Sequence, residues 1–144
     1  MARSCLAVDA SVVVKWVLPE EDRDRALLIR DLYQDEKLDL IAPHLLVGEV
    51  GNVLWRRIRT EDLTPDQGRR CFEQLLRDSP ILLNSPDTSR SAFHIAVAHD
   101  RTVYDCLYLA YALEQRCDLV TADKKFYRAM HPAFPAVKLL ADLK

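Results

Sequence analysis

The sequence predicts an α/β fold in which a mostly parallel central sheet is flanked by helices. Short apolar segments typical of buried strands alternate with longer segments whose apolar residues recur every three or four positions. Strands separated by helices are joined by right-handed crossovers, which produce parallel sheets. The chain has 144 residues, 49% of them hydrophobic, which suffices for the core of one domain. We therefore predict a single domain over residues 1–144.

The predicted elements follow one another closely and leave no room for a linker. The first strand is Ser4–Val8, and a helix over residues 12–17 follows, which Ser11 can cap and Pro19 ends. Later helices are predicted over residues 20–37, 45–59, 65–77, 88–98, 103–116 and 124–130. Later strands are predicted over residues 38–42, 81–83, 118–121 and 137–140.

Composition excludes several functions. The formal net charge is -2, so no overall positive field attracts nucleic acid or membrane, and a polyanion must be held by local basic groups or metal ions. The only glycines in the sequence, Gly48, Gly51 and Gly68, do not have the spacing of a dinucleotide-binding or phosphate-binding glycine motif. No apolar segment has the length of a signal peptide or a membrane span, and no two cysteines form a close pair, so we expect a cytoplasmic protein with reduced cysteines. The cysteines are Cys5, Cys71, Cys106 and Cys117.

Acidic residues occupy the positions where α/β folds place their sites. Asp9 and Asp123 each follow a predicted strand, and open parallel sheets bind ligands beyond the carboxyl ends of their strands. Asp105 lies in the first turn of a helix, and Glu49 lies within one. Each aspartate also has a simpler interpretation as a helix cap, and Glu49 as a solvated residue on a polar stripe that continues to Asn52.

If the fold brings these four acids together, their mutual repulsion calls for protonation or for a divalent cation. A set of oxygen ligands without histidine or cysteine suits Mg²⁺ or Mn²⁺ rather than Zn²⁺. The hydroxyls of Ser11 and Thr121 are placed to hold the carboxylates. A carboxylate-bound Mg²⁺ activates water for phosphodiester hydrolysis, which leaves a 5′-phosphate and a 3′-hydroxyl.

Four segments together resemble the PIN-domain family, and within it the VapC toxins of toxin–antitoxin pairs. They are residues 8–16 (VDASVVVKW), 43–54 (beginning PHL and ending EVGNVL), 104–110 (YDCLYLA) and 121–126 (TADKKF). The resemblance implies a PIN-like three-layer sandwich and an endoribonuclease that depends on Mg²⁺ or Mn²⁺. It also implies a homodimer, or a hetero-oligomer with a small VapB-like antitoxin that inhibits the enzyme.

The family's acidic positions match Asp9, Glu49, Asp105 and Asp123 in this chain, so the resemblance makes these four the catalytic, metal-binding residues. Asp9 and Asp105 are the best matches for direct ligands. The accompanying hydroxyl falls on Thr121, and a frequent polar position falls on Asn52. The chain departs from the family at Gly51 and Cys106, where alanine is more common, and neither change removes a ligand.

RNA needs local basic groups on an acidic chain. Lys124 and Lys125 adjoin Asp123 and are the better candidates for binding RNA phosphates, and Arg56 at one helix end is another. Runs of basic residues are, however, more often solvated surface positions than phosphate-binding sites. Further basic candidates are Arg57, Arg59, Arg69 and Arg70. Tyr104 and Tyr108 can stack a base, although their helical spacing favours packing at the helix boundary. A recessed site favours single-stranded or looped RNA.

Two predicted helices carry more apolar positions than one buried stripe needs, which indicates either core and dimer contacts or a groove for a partner helix. These positions are Leu27, Leu28, Ile29, Leu32, Leu46, Val50 and Leu54. Alternative functions remain: a PIN-fold RNA-processing nuclease, or a non-catalytic PIN interaction module. His94 and the His99–Asp100 pair imitate part of an all-helical metal phosphohydrolase, which this pattern of strands disfavours.

Overall fold

A computed structural model describes residues 3–143, so the outermost positions of the predicted domain, 1–2 and 144, lie outside the described residues. Its strands are β1 (Ser4–Val8), β2 (Leu38–Pro43), β3 (Ile81–Leu83), β4 (Asp118–Thr121) and β5 (Val137–Leu139). Its helices are α1 (Ala10–Val17), α2 (Arg23–Gln34), α3 (Leu45–Arg59), α4 (Pro65–Asp78), α5 (Pro86–His99), α6 (Val103–Glu114) and α7 (Lys124–Met130). A 3₁₀ turn, Leu140–Asp142, follows the last strand.

The five strands form one parallel sheet in the order β3-β2-β1-β4-β5. The chain builds outward from β1 to β2 and β3, then crosses back to β4 and β5 on the other side of β1. The strand order therefore reverses between β1 and β4, which is where open α/β sheets form a crevice at their carboxyl edge. The predicted α/β class and parallel sheet are confirmed.

Helices cover the sheet, as strands that are apolar on both sides require. Helix α6 packs on β1, β2 and β4, and α5 packs on α6. Helix α1 packs on α2, α3 and α4, and the reversal of the strand order carries the later crossovers to the opposite side of the sheet. Leu40 and Leu119 on the strands, and Leu46 and Leu109 on the helices, are fully buried between these layers.

Local signals explain where the helices begin. Thr64 accepts a hydrogen bond from the backbone N–H of Gln67, whose side chain accepts one from the backbone N–H of Thr64, and Pro65 occupies the first helical position of α4. Thr102 caps α6 by accepting from the N–H of Asp105. The predicted boundaries shift by a few residues elsewhere: α2 is shorter than predicted and begins after Asp22, which has a left-handed backbone conformation.

The prediction that Ser11 caps the first helix is wrong. Helix α1 begins at Ala10, and its cap is Asp9, whose carboxylate accepts the N–H of Val12. An aspartate that ends a strand immediately before the helix is already placed for this role, so the helix begins two residues earlier than predicted and includes Ser11.

The prediction of four reduced cysteines is wrong for two of them. Cys5 and Cys117 form a disulfide, with their Cα atoms 5.4 Å apart, while Cys71 and Cys106 are free. Because β1 and β4 pair with Leu6 opposite Asp118, the residues just before that pair also lie opposite each other. The register of the sheet creates this proximity across 112 residues of sequence.

The sequence left two interpretations open for the apolar positions of α2 and α3, and the structure supports core packing for most of them. Ile29, Leu46, Val50 and Leu54 are buried in the core. Of the seven, only Leu28 is largely exposed, at 50%. Helix α3 contacts several elements at once, among them β2, α1 and α4. It therefore needs a wider apolar face than a helix that packs on one partner, which accounts for its additional apolar residues.

Candidate active site

The first acidic side chain is held at the end of the central strand. Asp9 follows β1, and its Oδ1 accepts hydrogen bonds from the Ser11 hydroxyl at 2.5 Å and from the Val12 N–H at 3.3 Å. Burial raises the pKa of Asp9 from 3.8 to about 6, an effect that the hydroxyls of Ser11 and Thr121 oppose and that the charge of Asp123 reinforces. Both of these hydrogen bonds are accepted by Oδ1.

The second aspartate sits beside it on the neighbouring strand. Asp123 follows β4, and its Oδ1 accepts the N–H groups of Lys125 and Phe126, each at 3.0 Å, so that it caps α7. Because Val8 of β1 pairs with Val120 of β4, the two strands end at the same edge of the sheet. The strand reversal thus places Asp9 and Asp123 on either side of the crevice.

A network of hydroxyls joins the two strand ends. The Ser11 Oγ donates to Asp9, accepts the Ala122 N–H at 2.8 Å, and lies 3.4 Å from the Oγ1 of Thr121. The Thr121 Oγ1 in turn accepts the N–H of Asp123 at 3.1 Å. Thr121 is fully buried. These contacts fix the backbone on which both carboxylates depend, so Ser11 and Thr121 act as positioning residues here.

Glu49 reaches the same site from the middle of α3. Its Oε1 is buried and has no hydrogen-bond partner. The pKa of Glu49 is raised from 4.5 to about 7, mainly by burial; the neighbouring Tyr108 hydroxyl opposes this effect, and the charges of Asp105 and Asp9 add to it. A buried carboxylate oxygen without a partner is unfavourable, and it marks a place where a cation or a ligand donor would stabilise the protein.

Asp105, in the first turn of α6, completes the set. The four acids line one cavity of about 130 Å³, together with Ala10, Ser11, Tyr108 and Phe126. They come from the ends of two strands and from two helices, so distant parts of the sequence meet here. The simpler interpretation holds as well, because Asp9 and Asp123 both cap helices while lining the cavity.

The cavity fits a hard cation by its chemistry. Its charged groups are carboxylates, and one of them, Glu49, has a buried oxygen without a hydrogen-bond partner. Burial raises the pKa of Asp9 and of Glu49, so each of these two carboxyl groups ionises less readily than usual. Within residues 3–143, no three His, Cys, Asp or Glu side chains approach as closely as a formed metal cluster does. The four carboxylates therefore line the cavity but are not close enough together to form a complete metal site. Carboxylate oxygens are the ligands that Mg²⁺ and Mn²⁺ prefer.

Two aromatic residues form walls of the cavity: Tyr108, for which the sequence predicted base stacking or packing but no place in the cavity, and Phe126, which the sequence analysis did not single out. Tyr108 is 2% exposed, and its hydroxyl is buried without a hydrogen-bond partner. Burial raises the pKa of Tyr108 well above its ordinary value, and the charge of Glu49 adds to this. Phe126 lies under the Arg101 guanidinium, 5.6 Å from its ring centre. Each aromatic residue follows a cavity aspartate by three positions, one helical turn, which was the available signal.

The remaining predicted residues lie around the cavity rather than in it. Asn52 lines an adjoining groove, and Lys124 and Lys125 are exposed next to Asp123. Arg56 is exposed near the far end of α3 and does not line the cavity.

Several other predicted features lie elsewhere. Arg57 pairs with Glu20 at 3.0 Å, and Arg69 pairs with Asp66 at 3.0 Å, so both are engaged in surface ion pairs. His99 packs edge-on against Phe134, 5.2 Å between ring centres, outside the acidic cavity.

Comparisons with known proteins agree with this architecture. The PIN domain matches residues 6–131. Ribonuclease VapC3 of Pyrobaculum aerophilum is 31% identical over 134 residues, covering 92% of this chain and 96% of that protein. Ribonuclease VapC1 of Mycobacterium tuberculosis is 30% identical over 137 residues, with the same coverage.

Two solved structures share the fold. The crystal structure of PAE2754 from Pyrobaculum aerophilum superposes with a TM-score of 0.71 at 24% identity, covering 98% of this chain and 93% of that one. Mycobacterium tuberculosis VapC20, described as a toxin that cleaves the sarcin-ricin loop, superposes with a TM-score of 0.64 at 16% identity, covering 87% and 95%. With the domain match and the curated relatives, the chain belongs to the PIN-domain family and is a member of its VapC type.

Proposed function

We propose that the chain is an endoribonuclease that depends on Mg²⁺ or Mn²⁺ and acts as the toxin of a VapBC-type toxin–antitoxin pair. The observation that carries the proposal is the convergence of Asp9, Glu49, Asp105 and Asp123 on one cavity at the strand reversal. Two relatives named ribonucleases, each matched over 96% of its length, support it. VapC20, a fold neighbour, is itself described as an RNA-loop-cleaving toxin.

The four carboxylates would hold the cation, Asp9 and Asp105 being the strongest candidates for direct ligands. When bound, the cation lowers the pKa of a coordinated water and absorbs negative charge that develops on the phosphate. The chain's own groups orient this site: Ser11 fixes Asp9, and Thr121 fixes the backbone of Asp123. Attack by water rather than by a ribose hydroxyl leaves a 5′-phosphate and a 3′-hydroxyl.

Basic groups must offset an acidic site on a chain of net charge -2. Lys124 and Lys125 are exposed at the start of α7, directly after Asp123, and we assign them to RNA phosphates that flank the cavity. Arg56 is a weaker candidate because it lies three turns along α3 from its start. A single-stranded or looped RNA is the proposed substrate, since a recessed cavity of about 130 Å³ admits a splayed strand better than a duplex.

The proposed partners are a VapB-like antitoxin and a second copy of the chain. An apolar groove of about 330 Å³ between α3 and α4 includes Trp55, half-exposed, beside Phe72 and is available to an antitoxin helix. Phe93 and Val97 lie one turn apart on α5 and are 56% and 70% exposed, which suits the centre of a homodimer contact.

The proposed compartment is the cytoplasm, where the RNA substrate is. Residues 3–143 include no helix long and apolar enough to cross a bilayer. The Cys5–Cys117 disulfide is less common in that reducing compartment, so trapping free thiols in intact cells tests the assignment. Labelling of both cysteines supports it, and a fully oxidised pair in growing cells opposes it.

Cleavage of a defined single-stranded RNA by the purified protein tests the nuclease proposal. We expect cleavage with Mg²⁺ or Mn²⁺, none with EDTA, and new 5′-phosphate ends. Asp105→Asn should fold normally and lose nearly all activity, and Asp66→Asn, an exposed aspartate on α4, is the matched control. Full activity in Asp105→Asn, or cleavage that ignores EDTA, contradicts the proposal.

A folded protein without metal-dependent cleavage would instead support a PIN interaction module. Co-purification of the tagged chain from its own host separates the toxin from an RNA-processing nuclease. A toxin retains a small antitoxin that suppresses cleavage, whereas a processing nuclease is active as isolated.

A further inference from the structure

A second concavity opens beside the acidic cavity. It is an open groove of about 490 Å³ between the first half of α3 and the start of α6. Glu49 and Asp105 line both the groove and the cavity, so the two spaces lie side by side at these carboxylates. A strand held over the carboxylates therefore has the groove next to it.

The groove carries an aromatic side chain that faces solvent. Tyr104 lines it and is 63% exposed, whereas Tyr108, one turn further along α6, is 2% exposed. The sequence favoured packing for both tyrosines at the helix boundary, and that prediction is wrong for Tyr104. Tyr104 comes immediately before Asp105 in the chain, and its exposed ring in the groove is placed to receive a flat partner.

The α3 side of the groove includes a glycine, Gly48. A Cβ added to Gly48 would meet no heavy atom within 4 Å, so close packing does not require a glycine here. A glycine inside a helix is unfavourable relative to alanine, and the backbone conformation of Gly48 is an ordinary helical one. A side chain larger than alanine at this position would extend into the groove that Tyr104 lines from α6.

Away from its two acids, the groove carries no charged side chain among the described residues that line it. Asn52, one turn after Gly48, supplies an exposed amide with both a donor and an acceptor, and Leu45 and Thr102 complete the lining. This part of the groove has no positively charged group to bind a phosphate. It does offer a neutral, planar ring with polar edges a stacking surface, Tyr104, and a hydrogen-bonding group, the amide of Asn52.

We propose that this groove binds one nucleobase of a single-stranded RNA, adjacent to the phosphodiester held over the acidic cavity. The base stacks on Tyr104, and its edge bonds to the amide of Asn52. This inference rests on the proposed function for the identity of the strand, but its geometry involves side chains that take no part in cleavage. A base can enter only when it is unstacked from its neighbours, which specifies single-stranded or looped RNA.

The test uses an oligoribonucleotide that carries 2-aminopurine, a base whose fluorescence is quenched on stacking. Binding is measured with Ca²⁺, a hard cation that neutralises carboxylates, and cleavage is measured separately with Mg²⁺. Tyr104→Ala should abolish the quenching and raise Kd and KM about 10-fold, which corresponds to about 1.4 kcal/mol. Tyr104→Phe keeps a stacking ring and should behave like the wild type.

Filling the groove gives an independent readout. Gly48→Leu should weaken binding at least as much as Tyr104→Ala, while Gly48→Ala, which adds only a methyl group in open space, should bind normally. Circular dichroism and thermal unfolding confirm that each variant folds. Normal binding by a folded Gly48→Leu variant would overturn the proposal.

The outcomes separate this inference from the nuclease proposal. Quenching that depends on Tyr104 in a protein without metal-dependent cleavage supports the base site and overturns only the nuclease. Metal-dependent cleavage with unchanged KM and quenching in Tyr104→Ala overturns the base site alone. A change in oligomeric state in Tyr104→Ala, with normal quenching, also overturns it, because the tyrosine then serves an interface between copies.

Discussion

Replacing Glu49 with glutamine removes the charge that the cavity accommodates least well. The pKa of Glu49 is raised from its ordinary 4.5 to about 7 by burial, with the charges of Asp105 and Asp9 adding to the effect. Between these values the folded protein binds a proton that the unfolded chain has released. The free energy of unfolding therefore falls as pH rises through this interval.

The size of the effect follows from the two pKa values. Each pKa unit corresponds to about 1.36 kcal/mol, so the full interval is worth at most about 3 kcal/mol. At pH 5 the unfolded chain has already released part of its proton, and Glu49 is only partly buried, so we expect a change of about 2 kcal/mol between pH 5 and pH 8. Asp9, whose pKa is raised to about 6, also makes the unfolding free energy fall as pH rises. Because Asp9 is present in both the wild type and the variant, its contribution is common to the two proteins.

The assay is urea unfolding of the wild type and of Glu49→Gln at pH 5 and pH 8 in EDTA. We expect the difference in unfolding free energy between the two proteins to shift by about 2 kcal/mol in favour of the variant at pH 8. Glu21→Gln, at an exposed position outside the cavity, is the control and should show no such shift. Saturating Mn²⁺ should stabilise the wild type more than the variant, because a ligand that binds only the folded state adds stability. If the difference in unfolding free energy between wild type and Glu49→Gln does not change with pH, the argument that burial raises the pKa of Glu49 is refuted.

Three further predictions concern the exposed lysines of α7, the exposed apolar residues of α5 and the Cys5–Cys117 disulfide. Changing Lys124 and Lys125 to glutamine should weaken RNA binding and reduce the slope of log affinity against log salt by about one for each lysine that binds a phosphate, measured by anisotropy titration. Phe93→Lys with Val97→Lys should convert a dimer to a monomer in sedimentation experiments without changing the fold, and an unchanged dimer would place the interface elsewhere. Reduction of the Cys5–Cys117 disulfide should lower the unfolding free energy by about 2–5 kcal/mol, and Cys5→Ser should show the lower value with or without reductant.

The sequence was sufficient for features whose signals are local. A capping threonine followed by proline predicted the start of α4, and the apolar runs that end at Asp9 and Asp123 predicted where two strands stop. The rule that parallel strands share a carboxyl edge then placed both aspartates together. Glu49 could not be identified in this way, because no local sequence signal distinguishes it from other polar residues within a helix. Its place in the cavity was predicted through the family resemblance.

Features that depend on register and on packing could not be predicted in this way. The disulfide exists because β1 and β4 pair with one particular offset, and nothing around Cys5 or Cys117 encodes that offset. The apolar residues of α2 and α3 were consistent with a core or with a groove, and only the set of elements that pack on α3 decides between them. The exposure of Tyr104 and the burial of Tyr108 likewise depend on how α6 lies on the sheet.

Capping and cavity roles of the aspartates are compatible because each role uses a different oxygen. Asp123 accepts two backbone N–H groups through Oδ1, which leaves Oδ2 for the site. Asparagine caps helices about as well as aspartate, whereas alanine forfeits about 1 kcal/mol. Asp123→Asn should therefore retain the stability of the wild type and lose cleavage, while Asp123→Ala should lose both. Thermal unfolding and an RNA cleavage assay on the two variants separate the roles, and a fully active Asp123→Asn would reduce this residue to a cap.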